Sequence, residues 1–232
     1  MSRALLSLTC AAVLLGGCSD YTDPDPTPLA SIKLLNGASE APALDLLYEG
    51  EVVHAGVPYL SSSAYMGVPE GVRELAIRNS QTLVVLQTVE ADLEAGRSYL
   101  IMASGSALNV AAATGDTGQV RTDRVNLRLV NLADVPDSNS NEPPQLLDVH
   151  ITAPGVDLSG RQSEMTLDAR FPAYSTLWYF NPGTLVVRFR RVSDGVVVAD
   201  TGPLNLGAGD VRAVMLERLG DGTYRVAVVT EE

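Results

Sequence analysis

From Ser31 onward, short apolar runs alternate with clusters of Gly, Pro, Asn and Asp. Such punctuation predicts strands over residues 31–36, 43–48, 52–55, 62–67, 72–78, 83–89, 98–104 and 108–113. Several runs alternate as half-buried strands do: in Leu44-Asp45-Leu46-Leu47-Tyr48, positions 44, 46 and 48 share a face. Asn36-Gly37, Glu49-Gly50 and Ala95-Gly96 supply turn residues that tolerate positive φ. No window carries the 3.6-residue period of a substantial amphipathic helix.

The pattern starts again after a polar stretch at 114–123. Leu34-Leu35-Asn36 matches Leu129-Val130-Asn131, and Leu44-Asp45-Leu46 matches Leu147-Asp148-Val149. Counted from the turns Pro69-Glu70-Gly71 and Asn181-Pro182-Gly183, Leu75, Ile77 and Arg78 fall on Val187, Phe189 and Arg190. Leu93-Glu94-Ala95-Gly96 matches Leu206-Gly207-Ala208-Gly209, which sets Leu100, Ile101 and Met102 on Ala213, Val214 and Met215. Matches in one order and on the same faces indicate an internal duplication. The expected class is all-β: two tandem antiparallel β-sandwich domains, immunoglobulin-like, over 31–113 and 124–232 with a linker at 114–123. One fused sandwich of both copies is the alternative.

This order of motifs resembles the bacterial domain-of-unknown-function family 4397. The resemblance covers most of residues 31–230 and is better in the first copy; the second departs by an insertion at about 132–145 and a longer stretch at 153–170. It implies β-sandwiches in secreted or lipid-anchored proteins, often in tandem, and implies no activity and no catalytic residues.

Upstream of the strands, Ala4 to Leu15 form an apolar core behind Arg3, broken only by Ser7 and Thr9. This is shorter than the ~20 residues a membrane span needs and reads as an export signal over 1–17. Its end, Leu15-Gly16-Gly17-Cys18, resembles the lipobox of bacterial lipoproteins. The resemblance implies cleavage before Cys18, a diacylglycerol on its thiol and acylation of the new amino group. Cys10 leaves with the signal, so no second cysteine remains to pair with Cys18. Residues 18–30 are expected to be a tether, because the prolines of Asp-Pro-Asp-Pro-Thr-Pro remove N–H donors and fix φ. Ser19, and not an aspartate, follows the cysteine, which points to outer-membrane sorting in a double-membraned bacterium. The expected partners are the membrane, through Cys18, and an envelope protein or polysaccharide.

A net charge of −12 opposes nucleic-acid partners. Candidate chemistry is sparse. The histidines are His54 and His150; His150 sits two residues from Asp148 on one strand face and reads as a solvent-exposed pair, without the Gly-x-Ser-x-Gly elbow of a hydrolase. Asp137, Asn139 and Asn141, with Asp148 eleven residues after Asp137, echo calcium-loop spacing, but Glu142 stands where the loop's glycine belongs and Pro143-Pro144 follow. Arg188, Arg190 and Arg191 read as one strand's outer face, and Gly207-Ala208-Gly209-Asp210 as a hairpin turn. Trp178-Tyr179-Phe180 is the densest aromatic cluster and the candidate patch for a sugar or protein. No cofactor is expected. The leading expectation is a non-enzymatic, lipid-anchored interaction or structural module. The alternatives are a calcium- or carbohydrate-binding adhesin and a carboxylate-dependent envelope hydrolase.

Overall fold

The computed structural model describes residues 28–39, 41, 43–104, 109–115, 119–133, 146–168 and 173–231. The first half contains β1 (Leu29–Gly37), β2 (Ala43–Tyr48), β3 (Glu51–Pro58), β4 (Ser61–Ser62), β5 (Met66–Pro69), β6 (Gly71–Asn79), β7 (Val85–Leu93), β8 (Ser98–Ser104) and β9 (Asn109–Gly115). The second half contains β10 (Val125–Leu132), β11 (Leu146–Thr152), β12 (Met165–Asp168), β13 (Ala173–Tyr174), β14 (Trp178–Phe180), β15 (Gly183–Arg191), β16 (Val197–Asp200), β17 (Leu204–Leu206), β18 (Val211–Arg218) and β19 (Tyr224–Thr230). All described elements are strands, and they stack as sandwiches.

Three sheets form. A ten-stranded central sheet runs β13-β10-β18-β19-β4-β1-β8-β9, with β14 beside β10 and β5 beside β1. One outer sheet, β3-β2-β6-β7, belongs to the first half; the other, β12-β11-β15-β16 with β17 on β15, belongs to the second. Most ladders are antiparallel, but β1 and β8 run parallel, as do β10 and β18. Each parallel pair is separated in sequence by a whole outer sheet, and such a long crossover is what parallel neighbours require.

The two halves repeat one another in register. Leu34 lies opposite Ile101 and Leu129 opposite Val214; Asp45 lies opposite Arg78 and Asp148 opposite Arg190. Asn36 and Asn131 each accept the amide N–H two residues on, from Ala38 and Ala133. Ser63 and Ser175 each accept an N–H, from Leu34 and Leu129, and donate to the carbonyl of the next residue. That serine also explains why the run at 62–67 is two strands: its hydroxyl diverts the chain between β4 and β5.

Alternation fills three cores. Leu34, Leu44, Leu46, Leu75, Ile77 and Ile101 lie between the central sheet and the first outer sheet. Leu129, Leu147, Val149, Val187, Phe189 and Val214 do the same in the second half. The third core is Leu35, Leu100, Met102, Val130, Met215, Val229 and their neighbours, all from the opposite face of the central sheet. Neither outer sheet contributes to it, yet its members are at most 3% exposed. The central sheet therefore folds over so that its halves cover each other's backs. The halves also join edge to edge, where Thr230 lies opposite Ser61 and donates to the Leu60 carbonyl.

Asn36-Gly37 is not a turn. Both residues continue β1, where a Cβ on Gly37 would stand 3.2 Å from the Ala103 carbonyl and 3.3 Å from Met215 Cε. The glycine serves close approach at the third core. Glu49 and Gly50 do form a tight hairpin turn with φ of 49° and 82°, the primed type that suits strand twist.

Candidate functional site

Three groupings of charged or polar side chains stand out, and β-strand alternation places each. On the outer faces, Asp45 accepts from Arg78 Nε at 2.9 Å, Arg78 Nη2 at 2.6 Å and the Gly56 amide at 2.8 Å. Asp148 takes the same role in the second half, accepting from Arg190 Nη2 at 2.7 Å and Thr166 Oγ1 at 3.4 Å. Burial by itself would raise the Asp148 carboxyl, but hydrogen bonds from Arg190 and Ser163 and the Arg190 charge hold it below the usual range. The paired Asp and Arg are thus a repeated cross-strand ion pair.

His150 departs from expectation. The alternation is right, since Leu147, Val149 and Ile151 face the core, but the ring is fully covered and not exposed. The chain at 153–164 returns over it: Glu164 donates its N–H to the Val149 carbonyl and accepts the Ile151 N–H at 2.8 Å. Both ring nitrogens lack a protein hydrogen-bond partner; Nδ1 stands 3.9 Å from Glu164 Oε2. Burial, then the Arg190 charge, lowers the imidazole's proton affinity against the pull of Glu164 and Asp148. The ring is therefore held neutral, and Asp148 is engaged elsewhere. His54 lies in the other half, half-buried, 3.3 Å from the Ile32 carbonyl and also lowered by burial.

The third grouping was invisible in sequence. Lys33 and Arg128 occupy equivalent places on β1 and β10 and both turn toward the third core. Glu231 lies between them, with Oε2 3.0 Å from Lys33 Nζ and Oε1 3.1 Å from Arg128 Nε. The Lys33 ammonium also sits 5.0 Å from the centre of the Tyr65 ring. Burial pushes the Tyr65 phenol up to about 12, Arg128 working against the shift and Glu231 with it. Only the i, i+2 spacing of Lys33 to Leu35, and of Arg128 to Val130, signals these cations, and it normally marks a wet face.

The aromatic cluster divides. Trp178 and Phe180 lie opposite Leu127 and Val125 and share their core-facing side, where Phe180 packs on the second core. Tyr179 takes the other face; its hydroxyl donates to the Gln119 carbonyl at 3.0 Å, and the Arg121 guanidinium lies 4.4 Å from its ring centre. Arg188 donates to Thr152, and Arg191 pairs with Asp194 at the hairpin end. Gly207 to Asp210 do form the expected turn, with the Asp210 carboxylate accepting the Gly207 N–H. Cys18, Asp137, Asn139 and Asn141 lie outside the described residues. Among the described residues, no group of three His, Cys, Asp or Glu is placed to hold a metal ion, and no helix is long and apolar enough to cross a membrane.

Residues 30–138 match the sequence model of the family described as Domain of unknown function (DUF4397). None of the curated proteins matches the chain. Among solved structures, the chain is remotely similar to the crystal structure of CBMbc (family CBM26) from Eubacterium rectale Amy13K in complex with maltoheptaose. The identity is 8%, the TM-score 0.30, and the alignment covers 87% of this chain and 96% of that one.

Proposed function

We propose that this chain is a non-enzymatic, lipid-anchored protein of the cell envelope that acts as an interaction or structural module at the outer membrane. The observation that carries the reading is Leu15-Gly16-Gly17-Cys18 at the end of a short apolar segment, followed by Ser19 and a proline-rich spacer. β1 begins at Leu29, so ten residues separate Cys18 from the folded part. At about 3.1 Å per residue, ten residues of proline-rich chain could reach at most roughly 30 Å. Acyl chains at about 0.8 kcal/mol per buried CH₂ make the attachment durable.

The state of the charged groups supports a module that recognises and does not transform. Asp45 with Arg78, Asp148 with Arg190, Glu217 with Arg225, and Glu231 with Lys33 and Arg128 are all engaged in ion pairs. The repeated register and hydrogen bonds further support the second half being a diverged copy of the family matched by the first. The partner class we favour is an envelope protein or polysaccharide. Mass spectrometry of the N-terminal peptide from native membranes tests the anchor, which predicts an acylated Cys18 and release of Cys18→Ser into the soluble fraction. A bare thiol on Cys18, or a Cys18→Ser variant that stays with the membrane, would overturn it.

A further inference from the structure

The two halves turn back differently after a matched strand. In the first half β2 passes to β3 through Glu49-Gly50 alone, and Leu47, on the outer face of the sheet, lies opposite Ala76. In the second half residues 153–164 stand between β11 and β12, and His150 takes the place of Leu47, opposite Arg188. A connection of this length is uncommon between paired strands and tends to carry function. It covers a polar side chain where the first half buries an apolar one.

The cover is fastened beside the ring. Glu164 donates its N–H to the Val149 carbonyl, its Oε2 accepts the Ile151 N–H at 2.8 Å, and the Ser163 side chain bonds Asp148. From Ala153 to Gln162 every residue except Val156 and Leu158 is exposed, and the bonds from Ser159 to Asp157 and from Arg161 to Leu158 stay within the segment. Beneath it, both nitrogens of His150 and Arg190 Nε have no protein hydrogen-bond partner. Opening lets water reach these atoms, which lowers the free energy needed to lift a segment held at one end by few bonds.

We propose that residues 153–164 are a proton-sensitive flap, loosened from β11 when His150 takes up a proton. The charged groups facing the ring are Asp148 on its own strand, Arg188 and Arg190 on β15, and Glu164 and Arg161 on the covering chain; β12 brings Thr166. Both carboxylates are engaged, Asp148 by Arg190 and Glu164 by Arg161. Glu164 Oε2, 3.9 Å from Nδ1, is the same oxygen that holds the Ile151 N–H. A proton on the covered ring therefore either stays unpaired among three guanidinium groups or draws that oxygen away from the fastening bond. Burial and the Arg190 charge both lower the proton affinity of the covered ring. An uncovered ring with the ordinary histidine value binds the proton that the covered one refuses. The open fraction thus rises by up to about tenfold from pH 7.5 to pH 5.5.

Amide hydrogen exchange of the full chain in detergent, read by NMR between about pH 7.5 and 5.5 and divided by the intrinsic rate at each pH, tests this. The window lies above the ordinary carboxylate range. Protection of the Ile151 and Glu164 amides should fall by up to about tenfold on acidification, while Leu47 in the first half and Val214 in the central sheet keep theirs. His150→Leu, which installs the residue of the first half, and His150→Gln, polar but without a titrating proton, should each flatten the profile. His54→Gln should leave it in place. Protection that stays constant or rises on acidification, a fall shared by Leu47 and Val214, or the same profile in a folded His150 variant would each overturn the proposal.

Discussion

The two halves of this protein carry out one plan with different side chains, and each difference isolates a physical variable. Equivalent strands hold Asp45 and Asp148, Leu47 and His150, Lys33 and Arg128, and equivalent turns hold Leu83 and Gly195. The backbone frame is shared, so what differs is burial, hydrogen bonding and charge at matched sites. Where both halves keep a feature, the fold needs it. Where one half departs, either the fold tolerates the change or something outside the fold pays for it.

The largest effect is expected where the halves meet. Glu231 is the carboxylate bridging two buried cations, one from each half. Removing one member of a buried charged set leaves the rest uncompensated, so Glu231→Ala should lose about 3 kcal/mol or more in urea unfolding. Replacing the set with Lys33→Met, Arg128→Leu and Glu231→Leu together should recover most of that loss, because apolar groups need no partner there. A triple variant as unstable as the single one would show that the set specifies the join and does more than fill it.

Next come the matched ion pairs. The Asp45 side chain is 4% exposed and accepts from Arg78 through both Nε and Nη2 and from the Gly56 amide, whereas Asp148 is 16% exposed and accepts from Arg190 Nη2, from Ser163 and, at longer range, from Thr166. Asp45→Ala should therefore cost about 2–3 kcal/mol and Asp148→Ala about 1 kcal/mol. Equal losses would mean that the cross-strand geometry, and not burial, sets the value of the pair.

At the third site one half is apolar and the other is not. Leu47 faces Ala76, while His150 faces Arg188 under the returning chain at 153–164. The folded imidazole has its proton affinity lowered, so below about pH 6.5 the unfolded chain binds the extra proton and stability falls with pH. His150→Leu should be at least as stable as the parent at pH 7.5 and ahead by about 1 kcal/mol at pH 5.5. His54 is lowered too but is common to both proteins, so the difference in melting temperature between them isolates His150. A difference that does not grow on acidification would break the assignment.

Much of this plan was legible in the sequence because period-2 alternation and turn residues are local signals. The paired positions Arg78 with Arg190, and Ile101 with Val214, follow from counting between glycines, and each pair lies at corresponding register positions: Arg78 and Arg190 opposite Asp45 and Asp148, Ile101 and Val214 opposite Leu34 and Leu129. What local pattern cannot carry is the second burial of an already half-buried strand. Every residue of β10 is buried, so alternation there separates two cores and not core from water. For the same reason Lys33, Arg128 and His150 look solvent-facing until the covering chain is in place. Asn36-Gly37 misleads differently: its glycine answers a close neighbour, Met215, far away in sequence.

The smallest effect concerns the turn at Leu83 and Gly195. The second half meets a left-handed position with the residue that suits it, and the first half does not. Leu83→Gly should therefore stabilise the monomer by about 0.5–1 kcal/mol, the relief of the left-handed Cβ clash less the added flexibility of the unfolded chain. The reverse change, Gly195→Leu, should destabilise by a similar amount, since open space around Gly195 leaves only the backbone term. The melting temperatures of Leu83→Gly, Gly195→Leu and the parent chain read both changes on one scale. A Leu83→Gly variant no more stable than the parent would mean that the left-handed leucine carries no strain.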